Sequence, residues 1–167
     1  MERKVVGVLL AVGLTLLVLC KPTTNYYNIV EVFDGDTFVV QMSGKRETVR
    51  LIGVDTPETK DPRKPVQCYG PEASMYSHTK LEHAKVRLVS DPLSTNRDRY
   101  NRLLRYAYLQ DGTFFNKALL QTGNARAYTG FMFSKSSDFS AAEQAAKNTM
   151  QGLWASCKDI SKLSDGA

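Results

Sequence analysis

Short runs of apolar and β-branched residues, separated by turn residues, occupy the chain between residues 28 and 54. They predict three strands, which are Asn28–Phe33, Thr37–Met42 and Glu47–Val54. The connections Asp34-Gly35-Asp36 and Ser43-Gly44-Lys45 are typical of hairpin turns. Because each connection is short, we expect an antiparallel meander.

The rest of the pattern alternates between helical and strand periods. It predicts helices at Pro71–Ala84, Phe114–Gln121 and Ser137–Gln151, and strands at Lys85–Val89 and Leu103–Leu109. Five short strands with a helix after the third favour a small, partly open Greek-key barrel, the oligonucleotide-binding fold. The expected class is α+β, mainly β, with three helices. A simple open α+β sandwich is the alternative.

The N-terminus has a different character. Residues 5–20 carry no charge and follow a short charged stretch. This pattern predicts a signal peptide or membrane anchor over residues 1–23, and a single domain over residues 24–167. We therefore expect a protein outside the cytoplasm, either secreted or attached to the membrane through residues 5–20. The residues before Cys20 also resemble a bacterial lipobox, but Leu19 stands where that motif has a small residue, so lipidation at Cys20 is only a secondary reading.

Composition changes this picture little. The 167 residues are 43% hydrophobic and 23% charged, which is ordinary for one globular domain and excludes a disordered chain. The net charge of +5 is consistent with a polyanionic partner such as nucleic acid, although many basic proteins bind none.

Three cysteines are present, and one of them, Cys20, belongs to the N-terminal segment. Cys68 and Cys157 remain, an even number in an oxidising compartment. A disulfide between them would close a loop of roughly 90 residues; two unpaired cysteines are the alternative. No spacing of cysteine and histidine indicates zinc.

The residues that indicate chemistry follow the third predicted strand. Arg50 is a charge inside an apolar run, and Asp55 and Glu58 come directly after that run. Asp36 follows the first hairpin turn. Carboxylates from two neighbouring strand ends, together with the Thr56 carbonyl, form a sparse oxygen site for a hard cation.

Two further roles complete this hypothesis. Glu58 is placed to orient or deprotonate a water molecule. Arg50 and Arg102 are suited to bind phosphate, because a guanidinium contacts two phosphate oxygens at once. Arg99 and Tyr100 lie in the same polar loop as Arg102, where Tyr100 offers a surface for base stacking. Taken one at a time, each residue is also an ordinary turn, loop or surface residue.

The sequence resembles the thermonuclease (staphylococcal nuclease) family in three blocks: Asp34-Gly35-Asp36-Thr37, Arg50 to Thr59, and Asp98-Arg99-Tyr100-Asn101-Arg102. The resemblance extends over residues 26–157. It implies the oligonucleotide-binding barrel and calcium-dependent hydrolysis of DNA and RNA with little sequence preference, leaving 3′-phosphate ends. It also implies a monomer with no obligate protein partner.

The resemblance also implies roles for individual residues. The calcium ligands would be Asp36, Asp55 and the Thr56 carbonyl; the catalytic residues Arg50, Glu58 and Arg102; and the substrate-binding residues Arg99, Tyr100 and Tyr128. The family usually has glycine where this chain has Asn101, so we expect Asn101 to adopt a positive φ. A catalytically impaired nucleic-acid-binding barrel is the alternative function. A membrane-anchored adhesion module is a further alternative, but it does not explain why Arg50 lies in a strand beside the carboxylates.

Overall fold

Seven strands and four helices follow one another in the computed structural model, which describes residues 25–62 and 65–160. The strands are β1 Tyr26–Asp34, β2 Thr37–Met42, β3 Lys45–Leu51, β4 Val54–Asp55, β5 Lys85–Val89, β6 Leu103–Leu109 and β7 Arg126–Ala127. The helices are α1 Gly70–Leu81, α2 Phe115–Gln121, α3 Ser136–Asn148 and α4 Leu153–Ser156.

The predicted N-terminal segment, with residues 5–20 and Cys20, lies outside the described residues. Within the described ranges, no helix has both the length and the apolar character needed to cross a bilayer.

Five strands close into a barrel in the order β1-β2-β3-β6-β5, with β1 hydrogen-bonded to β5. β1, β2 and β3 form the predicted antiparallel meander, whereas β3 pairs with β6 in parallel. The prediction of a five-stranded oligonucleotide-binding barrel is confirmed. The barrel is closed rather than partly open, and the open sandwich is wrong.

Two predicted boundaries change where the backbone leaves the regular geometry of the element. The third strand ends at Leu51 rather than Val54, since Gly53 has a φ of 71° and turns the chain. Val54 and Asp55 then form β4, which pairs with β7 instead of continuing the barrel. Helix α1 ends at Leu81 rather than Ala84, and the next residues include His83 with a φ of 61°.

In the last third of the chain, the end of one helix differs from prediction and one helix is additional. Helix α3 ends at Asn148 rather than Gln151, and Met150 has a φ of 51°. The short helix α4 is additional to the three predicted helices. It buries Leu153 and Trp154 in a small cluster with Ala146 and Cys157, apart from the barrel core.

A disulfide joins this small cluster to the loop before α1. Cys68 and Cys157 are bonded, with their Cα atoms 5.9 Å apart and 89 positions apart in sequence. The residue that follows Cys68, Tyr69, packs against the cluster. The C-terminal helix is therefore covalently attached to the segment that leads out of the Asp55–Glu58 region.

Asp91 anchors the segment that follows β5. It is 4% exposed, and its Oδ2 accepts hydrogen bonds from the Tyr106 hydroxyl at 2.6 Å and the Ser134 backbone N–H at 2.9 Å. The Ser134 hydroxyl donates to the same oxygen, and the Leu93 N–H donates to Oδ1 at 2.8 Å. Burial alone would raise the pKa of Asp91, but these bonds outweigh burial and lower the pKa to about 2.

We expect Asp91→Asn to lower the free energy of unfolding at pH 7 by about 2 kcal/mol. A depressed folded-state pKa contributes stability above the ordinary value of 3.8, and this contribution is lost as pH falls through about 2. Urea unfolding of both proteins should thus show a difference that shrinks between pH 4 and pH 2. Tyr106→Phe, which removes a single donor, should show a smaller difference. A gap independent of pH would contradict the assignment.

Candidate active site

Arg50 lies between two aspartates at the end of β3. Its Nη1 is 2.8 Å from Asp36 Oδ2 and donates to the Val54 carbonyl at 2.7 Å, and its Nη2 is 3.1 Å from Asp55 Oδ1. The three side chains are 10–12% exposed. The register of β2 against β3 explains why Arg50 contacts Asp36, because Arg50 pairs with Thr37, the residue after Asp36. One guanidinium therefore fixes both carboxylates.

Asp36 is also attached to the loop that follows β4. Its Oδ2 accepts hydrogen bonds from the Thr56 backbone N–H at 3.0 Å and from the Thr56 hydroxyl at 3.1 Å. The approach requires glycine at the turn, because a Cβ on Gly35 would lie 2.6 Å from the Thr56 methyl carbon. The Thr56 side chain therefore packs directly against the turn at Gly35.

Asp55 has a second arginine partner, which is not among the predicted site residues. Arg126, on β7, contacts Asp55 Oδ2 at 3.0 Å and pairs with it across the two-stranded sheet. Burial raises the pKa of the Asp55 carboxyl, as does the charge of Asp36, while the two arginines oppose the rise. The signal was present in the sequence, since Arg126 is a charge between Ala125 and Ala127, as Arg50 is in its own apolar run.

Glu58 is fixed by its own loop. Its Oε1 accepts hydrogen bonds from the backbone N–H groups of Thr59, Lys60 and Asp61 at 2.9, 2.6 and 3.0 Å. Its backbone is held by Gln67, whose side-chain oxygen accepts from Glu58 N at 2.8 Å and whose N–H donates to Glu58 O at 3.0 Å. The carboxylate position thus depends on residues beside Cys68.

A small cavity of about 80 Å³, hereafter the catalytic cavity, collects these groups. Its lining includes Asp34, Asp36, Thr37, Arg50, Asp55, Thr56, Glu58, Gln67 and Arg102. Asp34, which the sequence predicts only as a turn residue, also lines this cavity. Burial, reinforced by the charges of Asp36 and Glu58, raises the pKa of Asp34 to about 6. All six predicted catalytic and metal-binding residues line this cavity.

Arg102 enters the cavity from a tight turn before β6. Its Nε donates to Asp98 Oδ2 at 2.7 Å, and its backbone N–H donates to Asp98 Oδ1 at 2.9 Å. Burial would raise the pKa of Asp98, but the hydrogen bonds and charge of Arg102 outweigh it and lower the pKa. Asn101 adopts the expected positive φ, at 64°. Asparagine therefore supports the turn that positions Arg102.

A larger groove of about 540 Å³, hereafter the groove, adjoins the catalytic cavity. Arg50 and Arg102 line both. Arg99, Tyr100 and Tyr128, the three predicted substrate-binding residues, line the groove but not the catalytic cavity. Tyr100 is 62% exposed, and the guanidinium carbons of Arg99 and Arg102 lie 4.8 and 5.3 Å from its ring centroid. The groove thus joins an exposed aromatic surface to the two arginines.

The residues of the catalytic cavity fit a hard cation. Asp36 and Asp55 are both buried, and burial together with the charge of Asp36 raises the pKa of the Asp55 carboxyl, an effect that a bound cation would oppose. The donors are oxygens, the ligands that Ca²⁺ and Mg²⁺ prefer. No group of three or more His, Cys, Asp or Glu among the described residues is arranged to hold a metal ion. Water and phosphate oxygens would complete the coordination.

Comparison with known proteins identifies the family of the chain. The family described as Staphylococcal nuclease homologue matches residues 48–156. The thermonuclease of Staphylococcus hyicus is 46% identical over 101 residues, which cover 60% of this chain and 58% of the relative. Endonuclease YncB of Bacillus subtilis (strain 168) is 42% identical over 123 residues, which cover 72% of this chain and 57% of the relative.

A third relative, the uncharacterized protein MJ1439 of Methanocaldococcus jannaschii, is 31% identical over 150 residues, which cover 78% of this chain and 72% of the relative. The matches to the thermonuclease and to YncB span little more than half the length of those proteins. The family match covers well over half of this chain and includes Arg50, Asp55, Glu58 and Arg102. The chain belongs to the staphylococcal nuclease homologue family.

Proposed function

We propose that this protein is a metal-dependent nuclease that hydrolyses phosphodiester bonds in DNA and RNA with little sequence preference. The observation that carries the proposal is the pair Arg50 and Arg102, which line one small cavity together with Asp36, Asp55 and Glu58. Two permanent cations next to a cation site suit a phosphate group that gains negative charge during hydrolysis. The adjoining groove supplies an aromatic surface for a base.

Asp36, Asp55 and the Thr56 carbonyl would hold the metal ion, which we propose is Ca²⁺. When bound, the ion supplies positive charge that stabilises the phosphate oxygens. Arg50, whose Nη1 and Nη2 contact these same two carboxylates, would donate hydrogen bonds to phosphate oxygens beside the ion.

The chain's own residues would carry out the hydrolysis. Arg50 and Arg102 donate hydrogen bonds to the phosphate oxygens and position the phosphorus. Glu58 orients a water molecule and accepts its proton, while its Oε1 stays anchored to three backbone amides. The water oxygen bonds to phosphorus, the bond from phosphorus to the 5′-oxygen breaks, and that oxygen takes a proton from solvent. The products would be a 3′-phosphate and a 5′-hydroxyl.

We also propose that the protein acts as a monomer outside the cytoplasm, secreted or attached to the membrane through residues 5–20. The uncharged N-terminal segment supports this location, as does the pairing of Cys68 with Cys157.

Degradation of supercoiled plasmid and of RNA by the purified protein is expected to require added Ca²⁺ and to stop in excess EDTA. Glu58→Gln should lower kcat by about 10²–10⁴-fold and leave binding of oligonucleotides intact, because it removes the proton acceptor. Glu82→Gln, a change at an exposed residue after α1, is the matched control. Labelling of the product ends by a 5′-hydroxyl kinase tests the polarity of cleavage.

Cleavage in excess EDTA would contradict the metal-binding role of Asp36 and Asp55. Tight binding of nucleic acid without cleavage under any metal would instead establish the impaired binding domain as the function.

A further inference from the structure

A third concave surface borders the catalytic cavity. This open depression of about 600 Å³ is formed by the end of β1 and the loop after Glu58. It shares Asp34, Thr37 and Glu58 with the catalytic cavity, whereas the groove shares Arg50 and Arg102 with it. The groove and the depression have no lining residue in common. The catalytic cavity is therefore the connection between two separate surfaces.

A phosphodiester has two ester arms, and both must leave the cavity that holds the phosphorus. If one arm enters the groove and stacks near Tyr100 and Tyr128, the other cannot occupy the same space. The depression borders the catalytic cavity and shares no lining residue with the groove, so it offers the second arm a separate surface.

We propose that this depression is a second nucleotide subsite, which binds the base and sugar across the cleaved bond from the groove. The inference rests on the proposed nuclease function. Phe33 would provide the stacking surface. It is 43% exposed although it follows the buried Val32 on β1, and it is the one aromatic among the described residues that line the depression.

The charges of the depression suit a base rather than a phosphate. Asp34 and Glu58, which the depression shares with the catalytic cavity, would repel a phosphate, and Glu31 is paired with Arg46. A base is uncharged, and its amino groups can donate hydrogen bonds to carboxylates. Lys60 is the one cation among the described lining residues, and it also lines the neighbouring surface beside α1. The next phosphate of the strand would therefore lie near Lys60.

Single-stranded oligodeoxynucleotides with one cleavable phosphodiester, the other linkages being methylphosphonates, test this subsite. One substrate carries nucleotides on both sides of the bond. The other two carry nucleotides on one side only, with a methyl ester replacing the arm on the 5′ or the 3′ side. The wild-type protein is compared by kcat/KM with three variants, Phe33→Ala, Phe33→Tyr and Phe33→Leu. Val30→Ala is the matched control, because Val30 lies on β1, is 42% exposed and does not line the depression.

Phe33→Ala and Phe33→Leu are expected to lower kcat/KM about tenfold on the two-sided substrate, the scale of one lost base–aromatic stack. The same loss should appear on one of the one-sided substrates and be absent on the other. Phe33→Tyr keeps the ring and should retain the wild-type kcat/KM. Val30→Ala should leave kcat/KM unchanged on all three substrates. Equal losses on both one-sided substrates, or no loss on any, would overturn the subsite. Failure of the wild-type protein to cleave any substrate would overturn the nuclease function itself.

Discussion

Arg50→Lys is expected to lower kcat by at least about 10²-fold, the scale reported for removing one preorganised donor to a transition state. Arg50 uses Nη1 and Nη2 on two different aspartates and on the Val54 carbonyl. A lysine ammonium is a single point, so it cannot span Asp36 and Asp55 or two phosphate oxygens at once. Because lysine keeps the positive charge, the loss of kcat reports the contribution of the two-pronged guanidinium geometry.

Arg46→Lys is the matched control, because Arg46 lies on the same strand and its side chain is 58% exposed. Thermal unfolding of both variants separates catalysis from folding, since Arg50 also neutralises two buried carboxylates. A wild-type turnover rate for Arg50→Lys in a folded protein would show that Arg50 serves only to hold the aspartates.

Removal of the disulfide is expected to have the largest effect on stability. The bond between Cys68 and Cys157 closes a loop of 89 positions, and in the chain-entropy model such a loop contributes about 4–5 kcal/mol. Cys157→Ser should lower the free energy of unfolding by this amount in urea titrations. Activity should fall as well, because Gln67, beside Cys68, holds both sides of the Glu58 backbone.

A Cys20→Ser background leaves the two bonded cysteines as the thiols to be counted. Under oxidising conditions the unfolded protein should show no titratable thiol, and after reduction it should show two. Two titratable thiols before reduction, or equal stability of the oxidised and reduced forms, would contradict this role of the bond.

The barrel could be predicted because its strands are long enough to show a pattern. β2, β5 and β6 have the predicted bounds, since turn residues flank each apolar run. The two-residue strands β4 and β7 could not be predicted, because two residues carry no periodicity and their pairing joins positions 54–55 to positions 126–127. β3 ends close to a positive φ at Gly53, and α1 ends before Glu82, whose ψ is 128°; an apolar pattern encodes neither change.

The candidate site also contains residues that a local pattern predicts and residues whose roles depend on the fold. Arg50, Asp55 and Glu58 are close in sequence and stand out as charges beside an apolar run. Asp36 and Arg102 stand out as charges after a hairpin turn and before a strand, and the structure brings them into the same cavity. The part played by Arg126 depends on the pairing of β4 with β7, so no local pattern shows which carboxylate it contacts. The raised pKa of Asp34 likewise arises from burial and from charges assembled by folding.

The pairing of β4 with β7 means that the candidate active site depends on residues beyond the proposed reacting groups. Asp55 is held by Arg126, and the neighbouring Ala127 N–H donates to Glu143 on helix α3 at 3.0 Å. A fragment covering residues 34–102 would contain every proposed metal-binding and catalytic residue and still lack the scaffold that aims Asp55. The proposed reacting residues all lie between positions 36 and 102, but the residues that hold Asp55 in place lie after them, so an active fragment cannot end at residue 102.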